Sequence, residues 1–166
     1  MTVVDPRGHS ATSAVGGAAR GGPVTEAAGD IVDRADLDAL LARFYGRALV
    51  DPVLRPVFVD VMQVDLAKHL PVIGAFWEQV LFRTGAYSGR TMEVHRRVHE
   101  RVPLTEAHFG RWLELWQAEV DASFVGPVAE QAKAHAGRMA AVFRRNLAAA
   151  PAPQQLPLVP AAGPPA

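Results

Sequence analysis

HLPVIGAFWEQVLFRTGAYSGRTMEVH, residues 69–95, holds one helical pattern, a turn, and the start of a second helical pattern. Apolar residues in its first half recur at the three- and four-residue spacing of one helical face: Ile73, Phe76, Trp77, Val80 and Leu81. Asp65 stands just ahead of this run as a plausible helix cap. The segment RTGAYSGR contains two glycines and is interpreted as a loop. The stretch therefore predicts two consecutive helices that each carry a histidine.

Prolines and caps set the expected limits of these helices. Pro71 removes a backbone donor two residues after His69, which predicts a bent or irregularly wound turn around that histidine. Thr91 is the predicted cap of the second, short helix, which Pro103 ends. Met92, His95, Val98, His99 and Val102 share one side of it.

Helical spacing continues in both directions from this stretch. A first helix is predicted over Leu37 to Leu49, followed by a tight connection, DPVLRPVF, in which Pro52 and Pro56 break regular structure. Thr105 is the predicted cap of a further helix, and Pro127 begins the last one. No alternating strand pattern occurs. The sequence predicts an all-α domain with four substantial helices and one short helix.

Composition limits the folding unit. The chain has 166 residues with 49% apolar content, which suits one soluble domain. Residues 1–30 hold six of the fourteen glycines, and residues 149–166 hold six of the thirteen prolines. Both segments lack enough large apolar side chains to offset the entropy of ordering, so both are predicted to be disordered tails. The folding unit is predicted to span residues 31–148.

Charge and cysteine usage exclude several classes of function. Seventeen basic residues balance seventeen acidic ones, which argues against nucleic acid or an anionic membrane as a partner. The chain has no cysteine, which excludes disulfides, thiolate metal sites and thioether-attached haem. No apolar run reaches the ~18 residues of a membrane helix, and no signal peptide is evident, so a cytoplasmic location is the default expectation.

The histidines admit several interpretations. His95 and His99 are four residues apart and could share a zinc ion, but Arg96 follows His95 where the zincin pattern needs glutamate. His99 is interpreted as a solvated residue at the helix end, and His95 as either a half-buried core residue or a ligand. An apolar, aromatic-lined slot with a histidine on each side would suit a flat iron porphyrin.

Three segments carry a resemblance to the truncated haemoglobins, and most to their third group. These are FYGRALVDPVLRPVF (44–58), the stretch quoted above (69–95) and HFGRWLELW (108–116). The match lies in Tyr45 directly after Phe44, in the DPxLxPxF pattern, in His69 eight residues before Trp77, and in Tyr87 eight residues before His95. It covers about residues 36–147 and leaves out both tails.

The resemblance implies a shortened globin fold, with two helices over two, enclosing haem b. It implies that His95 is the proximal iron ligand and the metal-binding residue, that Tyr45 and Trp112 reach the iron-bound ligand, and that His69 is a distal histidine able to gate access. The remaining implied cofactor contacts are Phe44, Phe58, Ile73, Phe76, Trp77 and Met92. The segment between His95 and Trp112 looks longer than in some relatives, which leaves His99 as a rival ligand; the offset from Tyr87 favours His95.

The function implied is binding of oxygen, carbon monoxide or nitric oxide at the iron, with a reductase as a further possible partner. The alternatives are a haem-dependent redox enzyme, such as a nitric oxide dioxygenase or a peroxidase-like protein, and a haem-free helical interaction module. Other side chains have simpler interpretations. Trp77 and Trp116 are predicted to fill the core, and Arg96 and Arg97 to lie on a solvated face or to pair with haem propionates.

Overall fold

Five α-helices make up most of the structure, which is a computed structural model that describes residues 29–149. The helices are α1 (Arg34–Ala48), α2 (Leu66–Phe82), α3 (Thr91–Arg101), α4 (Glu106–Ser123) and α5 (Pro127–Ala148). Within residues 29–149 there is no strand. The predicted all-α class, with four long helices and one short one, is confirmed. None of the helices in this range is both long and apolar enough to cross a membrane.

The long helices pack as two pairs. Helix α1 packs against α2 and α4, α4 packs against α5, and α2 also meets α5. The core between them is formed by Leu37, Leu40, Leu41 and Phe44 of α1, Trp77 of α2, Trp116 and Val120 of α4, and Ala132 and Ala136 of α5. The alanines of α5 let the helices approach closely, while the large side chains come from the other three. Helix α3 meets α5 and the segment that follows α1, so it lies at the edge of this core.

Most helix starts follow the local capping rules that the sequence displays. Asp65 caps α2 by accepting the backbone N–H of Ala67, and Thr105 forms a reciprocal capping box with His108 at the start of α4. Pro127 is the first residue of α5. The prediction for α3 was wrong by one residue, because Arg90 occupies the N-cap position and Thr91 is already helical.

The connection after α1 contains a short π-helix, Pro56–Val61, where the sequence predicted only a tight connection. Pro56 is tolerated because the first helical position needs no N–H donor. The Asp51 carboxylate accepts the N–H groups of Val53 and Leu54 ahead of it, at 3.0 and 3.1 Å. The backbone of Met62 donates to the Val57 carbonyl at 2.9 Å, which is the wider bonding pattern of a π-turn.

Helix α2 runs through Pro71 without interruption, so of the two outcomes predicted there the irregular winding was wrong and the bend stays a prediction. The proline deprives the carbonyl of Ala67 of its helical partner, but Ala67 is exposed, and solvent can take that bond. The Pro71 carbonyl in turn accepts a hydrogen bond from Arg34 of α1 at 3.3 Å. The same guanidinium pairs with Glu78 at 3.1 Å and lies against Gly74, where a Cβ would overlap it. Arg34 therefore joins α1 to α2 at a point where α2 has no side chain.

Asp30 joins the beginning of the described chain to its last helix. Its carboxylate accepts the backbone N–H groups of Val128 and Ala129, at 2.9 and 2.8 Å, in the first turn of α5. A negative charge at a helix N-terminus also interacts favourably with the helix dipole. Burial raises the pKa of Asp30, but the hydrogen bonds from Val128, Ala129 and Ile31 outweigh it and lower that pKa overall. Apart from residues 29, 30 and 149, the predicted tails lie outside the described residues.

Candidate functional site

An apolar cavity of about 230 Å³ lies where all five helices and the π-turn meet. Every site residue named from the sequence lines it except Met92: these are Tyr45, His69, Trp112, His95, Phe44, Phe58, Ile73, Phe76 and Trp77. Met92 lies on the same helix as His95, but its side chain is not part of the wall. The exposed side chains of Val72 and Val94 mark where the cavity reaches the surface.

His95 enters the cavity from α3 with one ring nitrogen already bonded. Its Nδ1 lies 2.9 Å from the carbonyl oxygen of Thr91, and because a carbonyl can only accept, Nδ1 must carry the proton. The Nε2 lone pair is therefore free to bind a metal ion, the usual arrangement of a ligating imidazole and its backbone partner. Burial lowers the pKa of His95, and the bond to Thr91 opposes this only in part, so the ring stays neutral as a ligand must.

Tyr87 explains the position of α3. Its hydroxyl lies 2.9 Å from the Thr91 side-chain oxygen at the start of the helix. The Tyr87 ring lies so close over Gly89 that a Cβ there would overlap it. The carbonyl of the same Thr91 then orients His95. The eight-residue offset between Tyr87 and His95 thus corresponds to two linked contacts. Tyr87 holds Thr91 at the start of α3, and Thr91 orients the His95 imidazole.

Tyr45 and His69 form the polar pair of the cavity. The Tyr45 hydroxyl lies 2.6 Å from Nε2 of His69, and the phenol ring is packed edge-on against Phe44 and Phe58. Burial strongly raises the pKa of the Tyr45 hydroxyl, which keeps it protonated. Burial lowers the pKa of His69, and the nearby His95 ring lowers it further because the two imidazoles would repel each other if both were protonated, which keeps His69 neutral. A neutral phenol is therefore bonded to a neutral imidazole in a largely apolar space.

Three tryptophans lie along one wall of the same cavity. Trp112 and Trp116 of α4 have nearly parallel rings with centroids 5.9 Å apart, and Trp116 stacks on Trp77 of α2 at 4.3 Å. Trp77 and Trp116 are fully buried, as expected of core residues, while Trp112 is half-buried. The Trp116 indole N–H is buried and has no hydrogen-bond partner among the described residues.

The other histidines of the described chain have structural contacts. The Nδ1 atom of His99 accepts the backbone N–H of Leu104 at 3.1 Å where α3 ends, and His99 does not line the cavity. His108 lines the cavity, but its Nδ1 accepts the backbone N–H of Thr105 in the capping box. His135 meets Phe76 and Trp77 edge-on. Arg96 and Arg97 both pair with Glu93 on their own helix.

Several wall residues were not named as site residues from the sequence. Helix α5 contributes Met139, Ala140 and Phe143, and the Phe143 ring lies 4.2 Å from the His95 ring, centroid to centroid. Met139 and Phe143 are four residues apart and so share one face of α5, and the packing of α5 on α3 brings that face to the histidine. Within residues 29–149 no three histidine, cysteine, aspartate or glutamate side chains form a metal-binding cluster.

The architecture is that of a truncated haemoglobin. No protein-family model and no curated protein sequence matches the chain. Among solved structures, the chain is similar to the group III truncated haemoglobin from Campylobacter jejuni, with a TM-score of 0.63 and 22% sequence identity. The similarity covers 70% of this chain and 92% of that one. The resemblance indicated by the sequence is thereby confirmed at the level of the fold.

Proposed function

We propose that the chain binds haem b, with His95 as the iron ligand, and that it binds a diatomic gas, foremost oxygen, on the other side of the haem. The observation that carries this proposal is the Nδ1 to Thr91 hydrogen bond, which directs a neutral imidazole with a free Nε2 into an apolar cavity. Haem supplies four nitrogen ligands of its own, so a single protein histidine suffices to hold the iron. The truncated globin fold supports the same assignment.

The cavity wall suits a flat, apolar macrocycle. Phe44, Phe58, Phe76 and Phe143 offer ring edges and faces, and Ile73 adds an aliphatic contact from α2. Such surfaces stabilise a cofactor mainly by removing its apolar area from water. Met92 is outside the wall, so we leave it out of the proposed contacts. Arg96 and Arg97 remain candidates for the propionates only if they exchange Glu93 for them.

Tyr45, His69 and Trp112 are the polar groups proposed to meet the gas. A hydroxyl that donates to an oxygen atom of partial negative charge forms a charge-assisted bond, strengthened by the apolar surroundings. In the structure the Tyr45 hydroxyl is hydrogen-bonded to Nε2 of His69. In the tautomer in which that nitrogen accepts the phenol proton, His69 turns away before Tyr45 donates to the ligand. His69 is thus proposed to control access, while Tyr45 retains the gas and Trp112 assists.

A redox function is the second candidate, and one observation favours it. Oxidisable side chains, Tyr45 and the three tryptophans, line the cavity itself. With a reductase as electron donor, bound oxygen could convert nitric oxide to nitrate, and a peroxide could be activated in the same place. Rapid-mixing assays of nitric oxide and peroxide consumption, with and without an electron donor, separate these activities from simple gas binding.

The haem proposal is tested by titrating the purified chain with haem and recording the absorption spectrum. We expect a saturable Soret band that His95→Gly weakens and that added imidazole restores. His99→Gly is the matched control, because it removes a histidine of the same helix that does not line the cavity. If His95→Gly keeps an unchanged five-coordinate ferrous spectrum without imidazole, His95 is not the ligand. If the unaltered chain gives no Soret band, the haem-free interaction module becomes the better explanation.

A further inference from the structure

The tryptophan stack is unlike the other aromatic contacts of the described chain. Trp116 lies between two other indoles, with interplanar angles of 11° to Trp77 and 2° to Trp112. Every other aromatic pair within residues 29–149 is tilted or meets edge to face, including those that Phe44 makes with Trp112 and Trp116. Edge contacts therefore satisfy ordinary packing in this core. Among the described residues, the parallel geometry occurs only between these three indoles.

Stacking makes the central indole the easiest of the three to oxidise. Removal of one electron leaves a positive charge on the ring, and the faces of Trp77 and Trp112 present the negative side of their quadrupoles to it. Because Trp116 stacks on both other indoles, the charge can also be shared among the three rings. Burial by itself disfavours a charged ring, because the Trp116 side chain has no exposed surface, so stabilisation of the cation depends on the two flanking indoles.

The orphaned N–H of Trp116 determines what happens to the proton. An oxidised indole becomes neutral only by giving its Nε1 proton to an acceptor, and no described residue lies within hydrogen-bonding distance of that atom. Since no described side chain or backbone group can take the proton, we expect the oxidised ring to keep it and remain a cation. Tyr45 is the opposite case, since its hydroxyl can pass its proton directly to His69.

We propose that the stack of Trp77, Trp116 and Trp112 is an internal one-electron donor to haem that has reacted with hydrogen peroxide. This inference rests on the proposed binding of haem. Ferric haem and peroxide together break the O–O bond, which releases one water molecule and leaves the haem with one oxygen atom and two electrons short. One electron from the stack fills half of that deficit. The products are a haem with one remaining oxidising equivalent and an indole radical cation that has lost no proton.

The experiment is rapid-freeze electron paramagnetic resonance of the full chain loaded with ferric haem and mixed with hydrogen peroxide. Two further samples carry ring-deuterated tryptophan and ring-deuterated tyrosine. We expect a radical signal that narrows with deuterated tryptophan and is unchanged with deuterated tyrosine. Because isotopic labelling alters no side chain, this part of the test does not depend on how any variant folds.

Substitution then locates the radical. Trp116→Phe keeps an aromatic ring of the stack but removes the oxidisable indole, and we expect loss of the signal. Phe124→Leu is the control, since it removes a ring packed on the core outside the cavity. A signal that follows deuterated tyrosine, or that disappears in Tyr45→Phe and persists in Trp116→Phe, would overturn the proposal in favour of Tyr45. A Soret band without any tryptophan radical overturns this inference alone, whereas a missing Soret band overturns it together with the proposed function.

Discussion

The Tyr45 hydroxyl and the His69 imidazole, 24 residues apart in the chain, are bonded at 2.6 Å inside the cavity. Each is therefore the other's partner until a ligand arrives. A gas that needs the Tyr45 proton must compete with His69 for it. Gas binding therefore depends on whether the Tyr45 hydroxyl is bonded to His69 or to the ligand.

Tyr45→Phe should speed oxygen dissociation by about ten- to hundredfold. A hydrogen bond to a charged group contributes roughly 1.5 to 3 kcal/mol, which corresponds to that factor. Carbon monoxide carries less charge on its outer atom, so its dissociation should change little. Stopped-flow displacement of both gases is the measurement, with Trp112→Phe expected to show the same pattern more weakly. Equal small effects on the two gases would mean that neither side chain donates to the ligand.

His69→Ala should raise the association rates of oxygen and carbon monoxide several-fold. The substitution removes an imidazole ring that is hydrogen-bonded to Tyr45 and that would narrow the proposed route to the iron. It leaves the Tyr45 hydroxyl available to the ligand. Oxygen dissociation should therefore stay close to that of the unaltered chain. Flash photolysis gives both association rates. An unchanged association rate together with a large increase in oxygen dissociation would identify His69 as a direct hydrogen-bond donor instead of a gate.

Carbon monoxide association should also accelerate in acid. Burial is the main cause that lowers the pKa of His69, so the ring becomes protonated only below about 6.5, its ordinary value. A protonated imidazole can no longer accept the Tyr45 proton, and its charge is costly to bury in the apolar cavity, so the ring should turn out toward solvent. The association rate is expected to rise as the pH falls through that lower range, and His69→Ala should abolish the dependence. A profile that persists in His69→Ala would assign the titration to another group.

Asp51→Ala should lower the free energy of unfolding by about 1 to 3 kcal/mol at neutral pH, because it leaves buried donors without an acceptor. The Asp51 carboxylate binds Val53, Leu54 and, at 2.7 Å, Arg111 of α4. Burial raises the pKa of Asp51, but these hydrogen bonds and the Arg111 charge outweigh it and lower that pKa below 3.8.

A group with a depressed pKa stabilises the folded chain fully above its unfolded pKa, and the effect is lost as the pH falls through the folded value. The difference between the unaltered chain and Asp51→Ala should accordingly be complete near neutrality and shrink below about pH 4. Urea unfolding at several pH values measures it. Asp60→Ala is the control, because Asp60 forms only an exposed pair with Arg55. A difference independent of pH would show that the carboxylate charge is not involved.

Local chemistry explains which parts of the fold could be predicted. Asp65, Thr105 and Pro127 mark helix starts because caps act within one turn, and the sequence displays every group involved. The π-turn was missed, since no local sequence signal distinguishes its wider bonding pattern from a tight connection, and the Asp51 carboxylate just before it also binds the distant Arg111. The continuity of α2 through Pro71 was missed too, because an exposed carbonyl at Ala67 makes the lost hydrogen bond inexpensive, and exposure is set by the whole fold.

The site divides in the same way. Helical spacing and the resemblance predicted that Tyr45, His69, Trp112 and His95 surround one site, and all four line the same cavity in the structure. Their partners were beyond reach: the hydroxyl-to-imidazole bond, the parallel indoles and the Phe143 ring beside His95 all join different helices. Met92 shares a helical side with His95, yet a helix at the edge of the core can present that side only in part to the cavity.

The Asp30 carboxylate has a consequence for the order in which a growing chain can fold. It is separated from its partners Val128 and Ala129 by 98 and 99 residues. These hydrogen bonds therefore cannot form while the ribosome is still adding α5. Contacts of such long range form late and slow the search for the native state. Helices α1 and α2 must meanwhile expose the apolar faces that α4 and α5 later cover. Cofactor capture is therefore expected after translation of the last helix, when the cavity wall supplied by Phe143 first exists.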